Sequence, residues 1–459
     1  MSERWLDRER FSVWGLGRSG LAAANLLARH GKKVHASDIR DAAELNQAEK
    51  KLHRDVEFTA GANVIGDAQV VVTSPGLRPG LKVFKEARRR EIDVISEVEL
   101  AREVSPSRWV GITGTDGKTT TTSLVGAMLE ASGYECTVAG NIGTALCDVV
   151  EDFGSEAVVV AELSANQLWS CHHLDVDVAA ITNIAEDHLD YFDDFSEYPE
   201  AKYRLIRLQA PGACAVLPAG DPVILEALKD EGPRQWTLFG AGEESSESTT
   251  PIVYFDERGR GRYRFDGEQG TWLDDFSQVA LLGRHNQLNA ACAAAIARSI
   301  GADWEGIREG LLGFSALPHR MEPVALIDGI RYVDDSKATN AHASLAGLEG
   351  IDDELIVIAG GRDKGLDLEK WGATVAEKAR LVVVIGEISD RMAALLQRHG
   401  GTVATAATLE EAVDRAHHTA RPGSTVVLSP ACSSYDMFSS YKERGRRFQT
   451  ALKNLTPKG

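Results

Sequence analysis

The chain has 459 residues, enough for about three domains that each bury a core of their own. Its 50 lysines and arginines against 68 acidic residues give a formal charge of −18, which disfavours nonspecific binding to nucleic acid or to an anionic membrane. The N-terminal residues have no apolar signal core, and no stretch approaches the ~20 apolar residues of a membrane span. The six cysteines include no CxxC pair and fit a reducing compartment. We therefore expect a cytoplasmic protein without nucleic-acid or membrane partners.

The first block, residues 1–106, begins with a strand, a glycine-rich turn and a helix. The strand at 11–14 leads into GLGRSG at 15–20, and a second strand ends at Asp38. GxGxxG between a strand and a helix, with an acidic residue about 20 positions further on, is typical of Rossmann-like nucleotide sites. A later strand at 68–73 runs into a second turn, Ser-Pro-Gly. The block is predicted to bind a nucleotide with a diphosphate.

The second block, residues 107–316, opens with a strand, the turn TGTDGKTT at 113–120 and a helix. Backbone amides at a helix N-terminus point toward an anion, Lys118 adds a positive charge, and the Thr119 hydroxyl can ligate Mg²⁺. The strict phosphate-loop pattern GxxxxGK[ST] requires glycine at position 112, which is isoleucine here. The prediction of a phosphate site therefore depends on the order strand, turn and helix and on the pair Lys118 and Thr119. A Gly/Thr-rich turn before an ordinary helix is the other interpretation. We predict an ATP site.

Two further strands of this block end in polar side chains. The strand at 157–161 runs into Glu162, which we interpret as a metal ligand or, alternatively, as a helix cap. The next strand runs into a segment that contains His188. Cys171 with two following histidines lacks a second ligand pair at zinc-like spacing, so we interpret it as structural. Residues 240–277 indicate an exposed polar loop and an antiparallel pair of strands.

The third block, residues 317–459, again alternates strands with helices. Its predicted strands at 330–333, 355–359, 381–385 and 425–428 each run into a polar or glycine-rich turn. All three blocks are therefore predicted to be α/β, with ligand loops at the carboxyl ends of the strands.

Eleven motifs, in this order along nearly the whole chain, resemble those of the Mur ligase family: GLGRSG, SPG, TGTDGKTT, AGNIG, AELSANQL, NIAEDHLDYF, GRHNQLNA, LPHRME, DDSKATN, GGRDK and LSPACSSYDMF. They are most similar to the members that add D-glutamate. The resemblance implies a Rossmann-like N-terminal domain, a central P-loop-type ATPase domain with a parallel sheet, and a C-terminal Rossmann-like domain.

The resemblance also implies an activity. A monomeric enzyme would join D-glutamate to UDP-N-acetylmuramoyl-L-alanine, through an acyl phosphate and with conversion of ATP to ADP and phosphate. This step belongs to peptidoglycan precursor synthesis, and therefore to cell-wall formation, cell shape and division. Two Mg²⁺ ions would offset the repulsion between the anionic reactants.

The resemblance further implies roles for individual residues, which group by ligand. The catalytic set would be Lys118, Glu162, His188 and Lys202, of which Lys202 stands where the family carries a carbamylated lysine; the metal ligands would be Thr119, Glu162, His188 and Lys202. ATP would contact Gly114, Thr115, Asp116, Gly117, Lys118, Thr119, Thr120, Asn286, Asn289, Arg320 and Asp335. The uridine-diphosphate substrate would contact Gly17, Arg18, Ser19, Asp38, Ile39, Arg40, Ser74, Pro75, Gly76, Asn141, Ser164 and Gln167. D-Glutamate would contact Thr339, Lys364, Ser434, Tyr435 and Tyr441, and Lys337 fits either ATP or the amino acid.

Three other functions stay open. A sister ligase that adds L-alanine, or a folylpolyglutamate synthase, would use the same ATP domain with another amino acid. An NAD-dependent oxidoreductase would explain GxGxxG and leave TGTDGKTT without a role. A nucleotide-binding module without catalysis would bind ATP and release no phosphate.

Overall fold

Short runs rich in valine and isoleucine recur along the chain, and they form strands because a parallel sheet covered on both faces needs apolar side chains throughout. The computed structural model describes residues 4–185, 196–230, 235–241, 249–281, 283–315, 317–351, 353–363, 365 and 367–455. These residues form two compact units. The first comprises Met1–Phe276 and Leu288–Gly313, and the second comprises Ser277–Gln287 and Phe314–Gly459.

The first unit begins with a parallel sheet of five strands in the order β3-β2-β1-β4-β5. Its elements are β1 (Arg10–Trp14), α1 (Arg18–Arg29), β2 (Lys33–Asp38), α2 (Ala42–Glu49), β3 (Val56–Ala60), β4 (Val70–Thr73), α3 (Lys82–Arg89), β5 (Asp93–Ser96) and α4 (Glu97–Val104). Strand β1 lies between β2 and β4, so the chain leaves it toward one side and later returns on the other. Ligands of such sheets bind at this reversal point, beyond the carboxyl ends of the strands.

The same unit contains a nine-stranded sheet in the order β14-β13-β12-β11-β10-β9-β6-β8-β7. Its strands are β6 (Arg108–Thr113), β7 (Cys136–Gly140), β8 (Val158–Glu162), β9 (Val178–Ile181), β10 (Cys214–Pro218), β11 (Gln235–Ala241), β12 (Ile252–Phe255), β13 (Gly261–Phe265) and β14 (Glu268–Leu273). Its helices are α5 (Lys118–Ala131), α6 (Leu146–Val149), α7 (Ala165–Leu168), α8 (Glu197–Arg207), α9 (Pro222–Leu228), α10 (Arg284–Ile300) and α11 (Trp304–Leu312). The first four residues of α10, 284–287, belong to the second unit. Strand β6 lies between β8 and β9, at the reversal point of this sheet.

One hydrophobic core joins the layers around both sheets of the first unit. It contains Leu26 of α1 and Leu100 of α4 together with Leu146 of α6 and Val159 of β8, all of them fully buried. Because apolar side chains of both layers pack in one core, the carboxyl edges of the two sheets are held by shared packing.

The second unit is a six-stranded sheet in the order β15-β16-β20-β17-β18-β19. Its elements are β15 (Glu322–Ile327), β16 (Ile330–Asp334), α12 (Ala341–Glu349), β17 (Leu355–Gly360), α13 (Glu369–Lys378), β18 (Ala379–Ile385), α14 (Ser389–Arg398), β19 (Val403–Thr405), α15 (Leu409–Thr419), β20 (Thr425–Leu428) and α16 (Tyr441–Lys453). Strand β15 is antiparallel to its neighbour and the other five strands are parallel. Among the described residues, none of the helices combines the length and apolar character that crossing a bilayer requires.

The predicted α/β class is confirmed, and every strand predicted from the sequence is present in the structure. The predicted antiparallel pair in residues 240–277 is β12 with β13, and β14 adds an antiparallel strand that was not predicted. Strands β3, β5, β7, β10, β11, β15 and β19 were also not predicted. The boundaries at 106/107 and 316/317 stay predictions.

Candidate active site

The turn between β6 and α5 is closed by two glycines with positive φ. Gly114 has φ +147°, and a Cβ atom there would lie 1.9 Å from Oγ1 of Thr182. Gly117 has φ +78°, and a Cβ atom there would lie 2.2 Å from Oδ1 of Asn289, which α10 supplies. Both positions therefore require glycine for conformation and for space. As the N-cap of α5, Gly117 contributes no capping side chain to the amides of the first turn.

The end of β9 fixes the middle of this turn. Asn183 accepts from the Thr115 amide through its carbonyl at 3.0 Å and from the Asp116 amide through Oδ1 at 2.9 Å. Thr182 Oγ1 donates to the Asp116 carbonyl at 2.6 Å. These bonds hold the turn in one conformation, so Thr119 and Thr120 are presented at the start of α5 behind it.

Two lysine ammonium groups meet at one carbonyl of the turn. Lys118 donates from Nζ to the carbonyls of Gly114 at 2.9 Å and of Thr115 at 2.6 Å. Lys202, on α8, donates to the same Gly114 carbonyl at 2.5 Å, although its side chain is 1% exposed. Its ammonium group also lies 4.4 Å from the ring centre of Tyr198. The chain as a whole has a net charge of −18, but here two cations share one neutral acceptor. This edge of the sheet is therefore suited to binding an anion.

A buried carboxylate lies on the neighbouring strand. Glu162 ends β8 in register with Ile112, two residues before the turn begins. Its Oε1 accepts from Nδ2 of Asn141 at 2.8 Å, while its Oε2 is buried without a hydrogen-bond partner among the described residues. A buried carboxylate oxygen without a donor is costly, and a cation is the partner that would stabilise it.

Three turns lie together at the carboxyl edge of the first sheet, and they carry the residues that the resemblance assigns to the uridine diphosphate. Asp38 accepts from the Leu16 amide at 2.7 Å and from the Arg40 guanidinium at 2.6 Å. Burial alone would raise the pKa of Asp38, but the hydrogen bonds from Arg40 and Leu16 hold it below its ordinary value. The side chain of the neighbouring Ile39 is 66% exposed. Ser74 is buried, and its amide donates to the Trp14 carbonyl. Of the other predicted residues, Gly17, Pro75 and Gly76 belong to the same turns, and Arg18 and Ser19 begin α1.

The predicted contacts with the sugar and peptide of the substrate differ in accessibility. Asn141 is exposed, whereas Gln167 is 2% exposed and forms a capping box with Ser164 at the start of α7. Gln167 Nε2 donates to Glu97 Oε1 at 3.0 Å, and burial raises the pKa of Glu97. The structure thus gives Gln167 a structural role in the free protein, and a substrate contact by its side chain stays a prediction.

In the second unit, a buried guanidinium binds the ends of three adjacent strands. Arg444 of α16 donates to the carbonyls of Ser336 at 2.9 Å, Cys432 at 3.0 Å and Gly360 at 3.4 Å, which follow or end β16, β20 and β17. Its side chain is 1% exposed, and burial lowers its pKa to about 10. The next residue, Gly445, is so close that a Cβ atom would lie 2.2 Å from Nδ1 of His319.

The loops bound by Arg444 carry most of the residues predicted for the amino acid. Ser434 is 2% exposed and Tyr435 is 66% exposed, both in the loop after β20. The ammonium group of Lys337 lies 4.1 Å from the ring centre of Tyr441, at the start of α16, and the amide of Thr339 donates to the Lys337 carbonyl. Lys364 and His188 lie outside the described residues.

The residues predicted to hold the nucleotide are divided between the two units. Asn289 belongs to the first, and Asn286, Arg320 and Asp335 belong to the second. Arg320 lies between two residues with positive φ, His319 at +68° and Met321 at +43°. Such backbone strain in non-glycine residues is concentrated at functional sites.

Asp335 lies in a buried hydrogen-bond network. Its Oδ2 accepts from Ser429 Oγ at 2.9 Å, and Ser429 Oγ contacts Ser344 Oγ, which accepts from Trp371 Nε1 at 3.0 Å. Burial raises the pKa of Asp335 to about 7, against the hydrogen bonds of Ser429 and the Met321 amide. The carboxyl group therefore changes charge near neutral pH.

Replacement of Asp335 by asparagine is expected to change how stability depends on pH. In the folded protein Asp335 keeps its proton up to about pH 7, whereas in the unfolded chain it loses it near pH 3.8, so stability is lost as the pH rises between these values. Asp335→Asn should resemble the wild type near pH 4 and be more stable at pH 8, by up to about 4 kcal/mol. Urea unfolding at both pH values measures this; an equal difference at both would contradict the assignment.

Three residues of these edges were not predicted from the sequence: Tyr198, Glu97 and Arg444. Tyr198 contacts Thr115 Oγ1 through its hydroxyl at 3.2 Å, and nothing in its local sequence indicates this. Arg444 does carry a signal, because it shares the buried face of α16 with Phe448 and Leu452 at spacings of four and eight residues. An arginine on an otherwise apolar helix face predicts a buried guanidinium with polar partners.

Comparison with protein families gives three consecutive matches. Residues 9–96 match the Mur ligase MurD-like N-terminal domain, residues 112–297 the Mur ligase middle domain, and residues 319–432 the Mur ligase glutamate ligase domain. The UDP-N-acetylmuramoylalanine–D-glutamate ligase of Symbiobacterium thermophilum is 35% identical over 455 residues, which cover 98% of this chain and 99% of the relative. The enzyme of that name from Chlorobium luteolum is 38% identical over 458 residues, 98% of each chain.

Solved structures show the same fold at lower identity. The MurF ligase of Thermotoga maritima in complex with ADP has a TM-score of 0.63 and 16% identity, covering 98% of this chain and all of that one. A pseudomurein peptide ligase type C from Methanothermus fervidus has a TM-score of 0.62 and 20% identity, with the same coverage. Since the three domain models follow one another along the chain and the relatives match nearly its whole length, the chain belongs to the Mur ligase family.

Proposed function

We propose that the protein uses ATP to join D-glutamate to UDP-N-acetylmuramoyl-L-alanine in peptidoglycan precursor synthesis. The observation that supports this most strongly is the turn after β6, where the Lys118 ammonium group lies on the carbonyls of Gly114 and Thr115 and the amides at the start of α5 have no capping side chain. An enzyme that brings a carboxylate to a triphosphate needs this concentration of positive charge in a chain that is otherwise acidic.

The reaction has two steps. A carboxylate oxygen of the UDP substrate attacks the γ-phosphorus of ATP, the bond from that phosphorus to the bridging oxygen breaks, and ADP leaves with the electron pair. The amine nitrogen of D-glutamate then attacks the acyl carbon of the acyl phosphate, phosphate leaves with the carbon–oxygen electron pair, and the nitrogen loses a proton. Positioning and charge stabilisation supply most of the catalysis in such transfers.

We assign the triphosphate to the turn from Gly114 to Thr120, with Lys118 close to its outer phosphates. Lys118 is bonded to two carbonyls of its own turn, so its ammonium group exchanges neutral acceptors for phosphate oxygens when ATP binds. Asn286 and Asn289 are proposed to contact adenine and phosphate, Arg320 the γ-phosphate, and Asp335 the ribose.

The residues present fit a magnesium ion. Glu162 Oε2 is buried without a donor among the described residues, and the Thr119 hydroxyl is at the start of the neighbouring helix, which are hard oxygen ligands of the kind that Mg²⁺ prefers. When bound, Mg²⁺ neutralises phosphate charge and makes the γ-phosphorus more electrophilic. Thr119 and Glu162 would hold the first ion, with His188 and Lys202 assigned to a second.

We propose that the turns of the first sheet bind the uridine diphosphate and that the second unit binds D-glutamate. The Asp38–Arg40 pair and the exposed Ile39 offer polar and apolar contact to a base. Thr339, Ser434, Tyr435 and Tyr441, together with Lys364, offer hydroxyl and cationic partners to a dicarboxylate. We further propose domains at 1–106, 107–316 and 317–459, and a cytoplasmic monomer without nucleic-acid or membrane partners.

The function is tested by phosphate release from ATP with UDP-N-acetylmuramoyl-L-alanine and one of four amino acids: D-glutamate, L-glutamate, L-alanine or L-lysine. Release with D-glutamate alone is expected. Release with L-alanine or L-lysine instead would indicate a sister ligase, and ATP binding without any release would indicate a module without catalysis. Fluorescence titration with NADH should show no binding.

We also propose that Lys202 is carbamylated during turnover. A carbamate would turn the cation into an anionic oxygen ligand, which suits a second Mg²⁺. With ¹³C-labelled bicarbonate, NMR of the wild type should show one bound carbamate signal. Lys202→Met should lose this signal, and its rate of phosphate release should fall by roughly 10²-fold or more. Lys51→Met, which removes an exposed lysine of the first sheet's layer, is the matched control and should keep both. A wild-type spectrum without the signal would contradict the proposal.

A further inference from the structure

Arg18 of the GLGRSG turn bonds to a loop of the second sheet. Its guanidinium donates from Nη2 to the carbonyl of Gly140 at 2.9 Å and from Nη1 to the carbonyl of Gly143. The fork of one side chain therefore spans both ends of the loop 140–143, the turn that follows β7. A guanidinium has five N–H donors, so further donors remain for an anion at the turn.

The loop 140–143 in turn holds the carboxylate of Glu162. The Asn141 amide donates to the Glu162 carbonyl at 2.8 Å, and Asn141 Nδ2 donates to Glu162 Oε1 at 2.8 Å. Gly140 has φ +105°, and a Cβ atom there would lie 2.4 Å from the Glu162 carbonyl oxygen. The loop thus contacts Glu162 through its backbone and through one side chain, with no space for displacement toward the strand.

These contacts form a continuous path from the nucleotide turn of the first sheet to the buried carboxylate of the second. Arg18 is exposed to solvent at one end, where a diphosphate can reach it, and Glu162 is 2% exposed at the other. Two glycines with positive φ, Gly140 and Gly143, bound the loop between them, so its conformation depends on what its carbonyls bond to.

We infer that Arg18 is a positioning residue that couples occupancy of the diphosphate turn to the orientation of Glu162, through the loop 140–143 and Asn141. This inference depends on the proposed function for the identity of the two ligands. An anion that fixes the guanidinium fixes the loop carbonyls, and the loop then holds the carboxylate ready for Mg²⁺ and ATP. The diphosphate end of the UDP substrate therefore tightens the binding of magnesium nucleotide through this path, separately from the contact between the substrate carboxylate and the γ-phosphate.

The test measures the dissociation constant of a non-hydrolysable ATP analogue with Mg²⁺, without and with saturating UDP-N-acetylglucosamine, which carries the diphosphate and lacks the carboxylate that meets the γ-phosphate. In the wild type this UDP-sugar should tighten the analogue about fivefold or more, and the analogue should tighten the UDP-sugar equally. Arg18→Met should abolish this effect and leave the affinity for the analogue alone close to the wild-type value. Arg18→Lys should retain part of it, because an ammonium group cannot span both carbonyls as a fork does.

Arg29→Met is the matched control. Arg29 also joins the two layers of the first unit, donating to Glu151 at 2.8 Å and to the Cys147 carbonyl at 3.3 Å, but these partners lie outside the loop 140–143. It should keep the full tightening. Loss of the effect in Arg29→Met as well would show general loosening of the packing and would overturn the inference.

Two further results decide the matter. If Arg18→Met is unfolded by circular dichroism, Asn141→Ala takes its place and should also abolish the tightening; retained tightening in either variant overturns the inference. If the wild type releases phosphate with D-glutamate yet shows no tightening, the inference fails and the proposed function stands. If the wild type binds neither ligand, the proposed function fails, and this inference fails with it.

Discussion

Lys118→Ala is expected to lower kcat/KM for D-glutamate-dependent phosphate release by roughly 10²- to 10³-fold. The ammonium group of Lys118 is held at the turn by two carbonyls, at 2.9 and 2.6 Å, and Lys118 is the single cationic residue of α5. Its removal takes away one fixed positive partner of the charge that develops on the γ-phosphate. Steady-state kinetics with varied ATP measure the effect, and binding of the UDP substrate by calorimetry should be unchanged.

Lys378 supplies a matched control for this substitution. It also donates to two carbonyls, those of Leu348 at 2.7 Å and Glu349 at 3.0 Å, at a helix end in the second unit that has no proposed ligand. Lys378→Ala should keep turnover while losing about 1 kcal/mol of stability. Wild-type turnover in Lys118→Ala would refute the assignment of the triphosphate to this turn.

Glu162→Gln is expected to reduce turnover at least about 10²-fold and to leave the protein as stable as before, or more stable by about 1 kcal/mol. Glutamine keeps the size of the side chain and the acceptor for Asn141 Nδ2, and it removes a buried negative charge whose second oxygen has no donor among the described residues. Lower turnover together with equal or higher stability is expected for a residue that binds a metal and destabilises the metal-free protein.

Glu99→Gln is the matched control for a buried carboxylate. Glu99 accepts from Trp5 Nε1 at 2.7 Å, from the His172 amide at 2.8 Å and from the His173 amide at 2.9 Å, so both of its oxygens have donors. Glu99→Gln should lower the midpoint of thermal unfolding and keep the dependence of turnover on Mg²⁺. If Glu162→Gln kept the wild-type dependence on Mg²⁺ instead, the proposed metal ligand would be wrong.

The ends of the strands were predictable from the sequence, because they depend on local pattern. The strict phosphate-loop pattern requires glycine at position 112, where this chain has Ile112. Ile112 is a fully buried residue of β6 that pairs with Glu162, and the turn begins two residues later. The turn was therefore predictable from the end of the strand, without that glycine. The unpredicted strands β3 and β19 are only partly buried, so they lack the apolar runs that identify the central strands.

Contacts between residues far apart in the sequence were not predictable. Lys202 and Gly114 are 88 residues apart, and Arg444 binds a carbonyl 108 residues away. A lysine within α8 has the sequence pattern of a solvated residue, and only the packed structure shows that it is buried. Side chains on local motifs were therefore identified, while the groups that orient them depend on the tertiary fold.

The Arg444–Gly445 pair has a consequence for the order in which the second unit folds. Glycine inside a helix lowers the stability of that helix by roughly 1 kcal/mol relative to alanine. Burial of a guanidinium is unfavourable until its carbonyl acceptors are in place. Helix α16 is therefore stable only against a sheet that has already formed, so it docks late in folding and detaches early in local unfolding. Its detachment would release the ends of β16, β17 and β20 together, which makes the integrity of one C-terminal helix the condition for an ordered amino-acid site.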